Sequence, residues 1–371
     1  MTIFLLFTTV ICVCYFLLML LYLIGWKKTP AFSFNSDGIP EAAISIIVPV
    51  RNEEKNIQSI LSSLSKQAYP KNKYEIIVVD DFSEDNTIAA AKALNISIIK
   101  IIPLSGKGGK KNAITEGVKK ASGDLIITTD ADCEMGEKWL SAINSFYQKE
   151  KPKLMVGPVL LKAEKSFFQI IQSQEITVLT ACAGAALYYD MPILCSGANL
   201  IYEKEAFLAV NGYEGNDSIP SGDDVFLMFK IHKQFPKQVK YVKSRDGAVY
   251  THPATAMDAV LNQRKRWASK TFSYEDMVVL AIAVLVFLTN LFLVLFFLLF
   301  LVKGVGLILF LLLAGMKITV DYLILNSANA FFSKKNHTVS FFLISIFYPV
   351  YVSLIGFCAP FTGYSWKGRK P

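Results

Sequence analysis

The chain has 371 residues, of which 18% are charged and 53% hydrophobic, and its formal net charge is +8. It is too apolar for an ordinary soluble enzyme, and its apolar residues cluster in long runs. The positive charge suits an anionic membrane surface and anionic substrates, and the basic clusters flank the apolar runs instead of forming a stripe that binds nucleic acid. The six cysteines form no paired framework and no metal-ligand spacing, which fits a reducing compartment.

The chain opens with an apolar run, 2–26, that carries no charged side chain and is followed by Lys27 and Lys28. As a helix, a run of this length can span a hydrocarbon core of about 30 Å. It lacks the basic start and the small-residue cleavage site of a signal peptide, so we expect an uncleaved transmembrane anchor over residues 1–26. The positive-inside rule then places both lysines in the cytoplasm and the N-terminus outside.

Residues 27–276 have the pattern of a soluble α/β domain, in which predicted strands alternate with predicted helices. The strands are predicted at 44–50, 75–79, 96–102 and 124–129, and the helices between them at 53–66, 84–94 and 110–121. This alternation predicts a parallel sheet covered by helices. The less regular second half contains an extended segment at 154–161 and helices at 166–186, 224–234 and 256–270. The last helix is basic and amphipathic, which is typical of a helix at a membrane surface.

The C-terminal region, 277–371, contains apolar segments at 277–302, 304–325 and about 341–361, so we expect two or three transmembrane segments. The third segment is interrupted by two prolines and either spans the membrane or re-enters it from one side. If it spans the membrane, the basic tail would lie outside, against the positive-inside rule. In the second segment Lys317 and Asp321 are spaced i, i+4 and can pair on one helix face, as a structural pair or as a functional intramembrane site.

Two aspartates follow the predicted strand 124–129, whose β-branched residues are continuous, as in a strand buried on both faces. In an extended chain, positions i and i+2 point to the same side, so we expect Asp130 and Asp132 to project together from the carboxyl end of the strand. Two close carboxylates suit Mg²⁺ or Mn²⁺ shared with substrate phosphates. Taken alone, such a pair is equally compatible with the start of a helix or turn.

Polar motifs also follow two other strands. The first strand runs into Pro49-Val50-Arg51-Asn52-Glu53, and the second into Asp80-Asp81-Phe82-Ser83, at the edge where a nucleotide can lie across a parallel sheet. Gly106–Ala113 is a basic, glycine-rich turn that opens a helix, and its N–H groups and lysines can hold phosphate. The turn does not match the P-loop spacing and is weak evidence by itself.

The order of these motifs resembles that of family 2 glycosyltransferases with the GT-A fold, a Rossmann-like nucleotide-diphospho-sugar transferase fold. The resemblance covers residues 44–267. It rests on Val-Pro-x-Arg-Asn-Glu, Val-Asp-Asp-x-Ser-x-Asp, Gly-Lys-x-x-Ala, Asp-Ala-Asp, Gly-x-Asn, an acidic-Asp pair at 223–224 and Gln-x-x-Arg-Trp at 263–267. Each motif is common alone, but the ordered set is not.

The resemblance implies a role for each matching residue. The residues expected around the nucleoside are Pro49, Arg51, Glu53 and one or both of Asp80 and Asp81. Lys110 is expected near the diphosphate, Asp130 near the ribose or a metal-bound water, and Asp132 on the metal. Asp224 is the expected general base, and Asp223, Gln263, Arg266 and Trp267 are expected at the acceptor and the leaving diphosphate. The implied cofactors are Mg²⁺ or Mn²⁺ and a nucleotide sugar, with a UDP-sugar favoured.

Several of these residues have structural alternatives. Asp223 and Asp224 can cap the helix that follows them, and Arg266 and Trp267 can anchor a helix at the membrane surface. We expect Asn199 to shape a turn, His252 to be a hydrogen-bonded loop residue in preference to a third metal ligand, and Cys195 to be a packing residue. The sequence departs from the family where Asp223 replaces the frequent Glu and where Thr115 replaces a frequent Asn, which leaves the contact of Thr115 in doubt.

The chemistry favours an inverting, metal-dependent transferase, because a divalent cation and basic side chains stabilise a leaving diphosphate while a carboxylate deprotonates the acceptor hydroxyl. We expect a membrane-associated acceptor, either a lipid that receives one sugar or a growing polysaccharide, at the plasma membrane with the catalytic domain cytoplasmic. A processive enzyme with so few spans would need an oligomer or an export partner to supply a channel. The alternative is a non-catalytic membrane scaffold that retains a sugar-nucleotide-binding fold.

Overall fold

The computed structural model describes residues 1–33, 41–162, 166–215, 222–271 and 276–358. The chain divides into two compact units. The first, here called the sheet unit, consists of Thr29–Lys162 and Ala186–His252. The second, the helical unit, consists of Met1–Lys28, Ala163–Ala185 and Pro253–Pro371. The predicted boundaries at residues 26 and 276 differ from this division, which groups 163–185 and 253–276 with the apolar helices.

The strands of the described residues all lie in the sheet unit. They are β1 (Ile44–Val50), β2 (Tyr74–Asp80), β3 (Ile99–Pro103), β4 (Leu125–Thr128), β5 (Cys133–Met135), β6 (Leu154–Val156), β7 (Val159–Leu161), β8 (Leu200–Glu203), β9 (Val239–Tyr241) and β10 (Val249–Thr251). Within the described ranges they form a seven-stranded sheet of order β3-β2-β1-β4-β8-β6-β9 and a three-stranded sheet of order β5-β10-β7.

The helices are α1 (Thr2–Lys28), α2 (Ile57–Ser65), α3 (Thr87–Lys92), α4 (Lys110–Lys120), α5 (Trp139–Glu150), α6 (Phe167–Tyr188), α7 (Lys204–Ala209), α8 (Asp223–Gln234), α9 (Met257–Thr271), α10 (Met277–Lys303), α11 (Leu307–Phe332) and α12 (Thr338–Cys358).

The first half of the large sheet is parallel, as its strand–helix alternation predicts. β1 pairs with β2 on one side and with β4 on the other, both in parallel, and Val50 lies opposite Asp80. Every side chain of β4 is buried, and so is nearly every side chain of β1 and β2, because helices cover both faces of such a sheet. The carboxyl ends of β1, β2 and β4 therefore meet at one edge, where the motif residues follow them.

The second half of the large sheet is mixed, unlike the parallel sheet expected from the sequence. β8 runs antiparallel to both β4 and β6. The segment predicted as extended at 154–161 is two strands, because β6 joins the large sheet while β7, after Pro158, pairs with β10 in the small sheet. Strands of three or four residues show too little periodicity to reveal their direction from sequence.

The helical unit contains helices long and apolar enough to cross a membrane. Among the described residues there are five such candidates by length and composition, namely α1, α6, α10, α11 and α12. Of these, α6 was expected as a helix but not as a candidate span. α12 continues through Pro349 as one helix, which favours a span over a re-entrant loop. Pro360 and the basic tail lie outside the described residues.

A buried ion pair joins two of these helices. Lys317 and Asp321 on α11 pair at 2.7 Å, as their spacing predicts, and the hydroxyl of Tyr15 on α1 donates to the other carboxylate oxygen at 2.8 Å. The Lys317 ammonium also lies 5.4 Å from the centre of the Tyr15 ring. Because both charges are neutralised inside the bundle, the pair holds α1 against α11.

A carboxylate at the amino-terminal edge of the large sheet ties several segments together. Glu75 accepts hydrogen bonds of 2.6 Å from Ser45 Oγ and from both the backbone N–H and the hydroxyl of Ser122, and it pairs with Lys100 at 2.5 Å. Burial alone would raise the pKa of Glu75, but the hydrogen bonds from Lys100, Ser122 and Ser45 outweigh it and lower the pKa from 4.5 to about 2. The ionised form of Glu75 is thus the one that the fold stabilises.

Replacing Glu75 with Gln is expected to lower the free energy of unfolding by about 3 kcal/mol at pH 7. The stability that Glu75 contributes is present above its ordinary pKa of 4.5 and is lost as the pH falls toward about 2. The difference in thermal unfolding midpoint between wild type and Glu75→Gln, measured in detergent, should therefore be smaller at pH 3 than at pH 7. Glu116→Gln, which breaks an exposed i, i+3 pair with Lys119, is the control, and its unfolding midpoint should differ little from that of wild type. A difference in unfolding midpoint between wild type and Glu75→Gln that does not change with pH would contradict this account.

Candidate active site

The turns after β1 and β2 are cross-linked by hydrogen bonds. The Asn52 N–H donates to Ser83 Oγ at 3.1 Å, the Glu84 N–H donates to Asn52 Oδ1 at 2.9 Å, and the Glu53 N–H donates to Thr87 Oγ1 at 2.7 Å. Asn52 and Phe82 both have positive φ, of 52° and 56°. Because non-glycine residues in this region carry strain that surrounding contacts must offset, the two turns form a rigid pre-organised edge.

The two aspartates after β2 have different environments. Asp80 Oδ1 accepts the Ser83 N–H at 3.0 Å and shapes the turn. Asp81 is buried, and its Oδ1 accepts the Gly109 N–H at 2.9 Å. Gly109 has a φ of 126°, a conformation that favours glycine, and it precedes the first residue of α4. One oxygen of Asp81 thus holds the glycine-rich turn at the start of α4, because the Gly109 N–H donates to this carboxylate.

Arg51 bridges the same two turns. Its Nη1 donates to the Asp81 carbonyl at 3.0 Å, and its Nη2 lies 3.4 Å from Glu84. Its Nε is buried and makes no hydrogen bond to any residue that the structure describes. Glu53 is also buried and accepts from Asn56 Nδ2 at 2.7 Å at the start of α2. The structure thus brings Pro49, Arg51, Glu53, Asp80 and Asp81 to one edge, as the sequence predicted.

Lys110 stands at the centre of a carboxylate cluster. As the first residue of α4, it places its Nζ 2.6 Å from Asp130 Oδ1 and 3.8 Å from Asp223 Oδ2. Burial opposes the charged form, but Asp130, Asp223 and Asp224 outweigh it and raise the pKa of Lys110 above its usual range. With three carboxylates around one ammonium, the cluster has a formal charge of about −2, counted from the ordinary ionisation of each group.

Asp223 and Asp224 begin α8 after Gly222. Asp224 accepts the Gly197 N–H through Oδ2 and the Val225 N–H through Oδ1, each at 2.9 Å. The first turn of a helix favours carboxylates, so the expected capping role and a role in the site are compatible here. The position of Gly197 was not predicted as part of the site. A Cβ at Gly197 would lie 3.2 Å from Lys110 Nζ and 3.4 Å from Asp223 Oδ2.

Asp130 and Asp132 do not extend β4. The strand ends at Thr128, and the Cys133 N–H donates to the Asp130 carbonyl at 3.2 Å, which closes a turn before β5. The expectation that both side chains continue one extended strand is therefore wrong in its geometry. The Cys133 thiol lies 3.8 Å from Asp132 Oδ1, and burial together with the charges of Asp130 and Asp132 raises its pKa.

A divalent cation is compatible with this donor set. No group of three or more His, Cys, Asp or Glu side chains arranged to hold a metal occurs among the described residues. Mg²⁺ ordinarily takes only one or two protein carboxylates and completes its shell with water and substrate phosphates. Carboxylates outnumber ammonium groups in the cluster, which is the environment that a divalent cation prefers. The residues therefore fit a shared metal but do not enclose one.

Other residues singled out in the sequence have structural roles. Asn199 is fully buried, and its Nδ2 donates to the carbonyls of Pro158 and Gly247 at 2.9 Å, while Trp139 Nε1 donates to its Oδ1 at 3.3 Å. It shapes a turn, as expected. The Thr115 hydroxyl donates to the Lys111 carbonyl within α4 at 2.9 Å, so this contact stays within the helix.

His252 and Cys195 were expected to be a hydrogen-bonded loop residue and a packing residue, and the structure gives each of them contacts of that kind. His252 Nε2 lies 3.3 Å from Glu134, a loop contact with a carboxylate that also binds Lys162. Burial, together with Asp224 and Asp223, raises the pKa of the Cys195 thiol well above its ordinary value and keeps it protonated. All six cysteines lie in described segments, and they form no disulfide bonds there.

Gln263, Arg266 and Trp267 belong to the helical unit, where they lie on α9. Their side chains are half-buried. The neighbouring Arg264, which was not predicted as a site residue, is buried among them.

Gly197→Ala is expected to displace the Lys110 ammonium by a few tenths of an ångström and to lower the rate of sugar transfer, the activity that the motifs imply, by roughly tenfold. The φ of Gly197 is not in the left-handed region, so the backbone accepts alanine. The matched control is Gly136→Ala, because a Cβ at Gly136 meets nothing within 4 Å. Initial rates and thermal unfolding of both variants provide the measurement. Equal rates in the two variants would show that the approach of Gly197 to Lys110 has no role in turnover.

Comparison with known proteins gives the site a family context. Residues 45–207 match the model of Glycosyl transferase family 2. A dolichyl N-acetyl-alpha-D-glucosaminyl phosphate 3-beta-D-2,3-diacetamido-2,3-dideoxy-beta-D-glucuronosyltransferase of Methanococcus voltae is 31% identical over 244 residues, which cover 62% of this chain and 71% of that protein. Poly-beta-1,6-N-acetyl-D-glucosamine synthase of Staphylococcus epidermidis is 28% identical over 228 residues, which cover 61% of this chain and 53% of the synthase.

A solved structure shows the same fold. Mannosyltransferase PcManGT from Pyrobaculum calidifontis, in complex with GDP-Man and Mn²⁺, superposes with a TM-score of 0.60 and 18% identity over 89% of this chain and 99% of that chain. The α/β architecture of the sheet unit is thus the GT-A fold expected from the motifs. The aligned region spans only about half of the length of the synthase. With a relative 31% identical that is matched over 71% of its length, the chain belongs to glycosyl transferase family 2.

Proposed function

We propose that this protein transfers a sugar, with inversion at the anomeric carbon, from a nucleoside diphosphate sugar to a membrane-associated acceptor. The observation that carries the proposal is the Lys110 cluster, which joins the start of α4, the turn after β4 and the start of α8 at one edge of the sheet. A buried ammonium whose pKa is raised stays charged, and it can stabilise the charge that develops on a leaving diphosphate.

The nucleoside is proposed to lie against the cross-linked turns after β1 and β2. Arg51 bridges these turns and has a buried Nε without a partner among the described residues, and Asp80 and Glu53 supply carboxylates. A carboxylate here can accept a hydrogen bond from the base. A UDP-sugar remains our proposed donor, although the mannosyltransferase of the same fold was solved with GDP-Man.

Asp132 and Asp130 are the residues that would hold a Mg²⁺ or Mn²⁺ ion. A cation bound there would neutralise the diphosphate oxygens as the sugar departs. Lys110 and Asp130 hold each other at 2.6 Å, so the lysine orients this carboxylate.

Asp224 is the proposed general base. Two backbone N–H groups fix the orientation of its carboxylate at the start of α8. A carboxylate fixed in this way can take the proton of an acceptor hydroxyl as the oxygen attacks the anomeric carbon. Attack opposite the leaving diphosphate inverts the anomeric centre.

The acceptor is proposed to be a lipid or a growing polysaccharide, which Gln263, Arg266 and Trp267 on α9 would bind. The helices of the helical unit keep the enzyme where such acceptors are found. One relative is named as acting on a dolichyl phosphate sugar and another as a polysaccharide synthase, so relatives of both kinds exist. A processive enzyme would need a second copy or an export partner to complete a channel.

The proposed location is the plasma membrane, with residues 27–276 as a catalytic domain in the cytoplasm, where nucleotide sugars are available. Lys27 and Lys28 at the end of α1 and Lys334 and Lys335 after α11 support this orientation. α1 and α11 run in the same direction, since Tyr15 contacts Asp321 and Trp26 packs against Phe331. Both basic segments therefore lie at the same end of the bundle.

The direct test incubates the detergent-purified protein with a panel of nucleotide sugars and membrane lipids, and then measures the size of the products. A single added sugar is expected for a lipid glycosyltransferase, and a ladder of products for a processive synthase. If no donor is consumed and no product forms while nucleotide sugars still bind, the transferase proposal fails and the scaffold alternative is supported.

Asp132→Asn is expected to reduce metal-dependent turnover by at least roughly a hundredfold, because a neutral amide is a poor ligand for a hard cation. Chelation of divalent cations should reduce the turnover of wild type in the same way, and added Mn²⁺ or Mg²⁺ should restore the turnover. Glu137→Gln is a neighbouring control, because it neutralises an exposed carboxylate outside the cluster. Full activity of Asp132→Asn, or activity of wild type that resists chelation, would remove the proposed metal role.

A further inference from the structure

A buried arginine lies inside the Gln263–Trp267 motif of α9. Arg264 is 5% exposed, the most buried side chain of the motif. Its Nε and Nη2 donate to Glu175 Oε2 on α6 at 3.0 and 2.6 Å. A basic helix at a membrane surface would keep its arginines solvated, so the burial of Arg264 needs a different explanation.

The same guanidinium contacts two of the proposed acceptor residues. Arg264 Nη1 donates to Gln263 Oε1 at 2.6 Å, and the guanidinium carbon lies 4.4 Å from the centre of the Trp267 ring. The planar guanidinium is suited to such a combination, because its edge can donate several hydrogen bonds while its face stacks on an indole. Arg264 therefore determines where the Gln263 amide and the Trp267 ring point.

α6 holds α9 at a second point. The Gln172 side chain donates to the Ala254 carbonyl and accepts the Ala254 N–H, each at 3.0 Å, just before α9 begins. Gln172 and Glu175 are spaced i, i+3 and share one face of α6. That face thus holds both the segment that leads into α9 and the centre of the motif.

We propose that Glu175 and Arg264 form a positioning pair, which fixes the Gln263 amide and the Trp267 ring in the orientation used to bind the acceptor. This inference rests on the proposed function of the Gln263–Trp267 motif. It assigns to α6 the role of a platform for that motif, and neither Glu175 nor Arg264 needs to contact the substrate.

A change at one member of the pair leaves a buried charge without its counterpart, which can destabilise the fold by itself. The test therefore compares Glu175→Gln with the double variant Glu175→Leu/Arg264→Met, which replaces both charges with apolar groups of similar volume. Ser173→Ala, on the same helix, is the control because the Ser173 hydroxyl accepts from Lys334, which lies between α11 and α12.

We expect Glu175→Gln to lower kcat for transfer roughly tenfold to a hundredfold, with the donor KM within about twofold of wild type. The double variant should recover thermal stability but not kcat. Ser173→Ala should keep kcat. A double variant that recovers both stability and kcat, or a folded Glu175→Gln that keeps the wild-type kcat, would overturn the positioning role.

A second readout separates this inference from the proposed function. The fluorescence of Trp267, obtained by subtracting the spectrum of Trp267→Phe, should shift in Glu175→Gln and not in Ser173→Ala, whether or not an acceptor has been identified. If wild type transfers no sugar but the emission shifts, the proposed function fails and the positioning pair stands. If wild type transfers sugar and the emission of Glu175→Gln is unchanged, the positioning pair fails.

Discussion

The charged contact between Lys110 and Asp130 is the interaction on which the site depends. A buried ammonium is costly unless carboxylates offset the loss of water, and three carboxylates that converge without a cation would repel one another. Lys110 satisfies both constraints, because it begins α4, lies 2.6 Å from Asp130 and approaches Asp223 at the start of α8. Three segments that are distant in the sequence are thereby held at one edge of the sheet.

The rest of the sheet unit supports this arrangement. Asp81 holds the turn that precedes Lys110, and Gly197 donates to Asp224 while leaving room for the lysine. The turns after β1 and β2 are held by hydrogen bonds and by two residues with positive φ. These features keep the polar groups in place before any ligand arrives, which is the condition under which charges stabilise a transition state most effectively.

The sequence was most informative where its patterns were long. The predicted ends of β1 match those in the structure, and the predicted end of α4 differs by one residue, because each element combines a clear apolar pattern with a marked boundary. β8 was not predicted, since four residues carry no usable period, and its antiparallel direction made the sheet mixed. The turn at Asp130–Asp132 was one of two alternatives, and the sequence did not decide between it and an extended chain because it did not show where β4 ends.

The candidate site shows the same limit. The motifs pointed to the carboxylates and Lys110 because the ordered set of motifs is uncommon, although each motif is common alone. Gly197 and Arg264 were not found, because their roles depend on neighbours that lie far away in the sequence, Lys110 for the first and Glu175 for the second. Pairings of this kind become visible only when the fold brings the segments together.

The most direct test of the central claim, that the carboxylates around Lys110 form the catalytic centre, is a comparison of donor binding and transfer in Asp224→Asn. The amide keeps the size of the side chain but cannot accept the proton of the acceptor hydroxyl. The account predicts that the nucleotide sugar binds with nearly wild-type affinity while transfer falls by at least roughly a hundredfold. Transfer at the wild-type rate in this variant would contradict it.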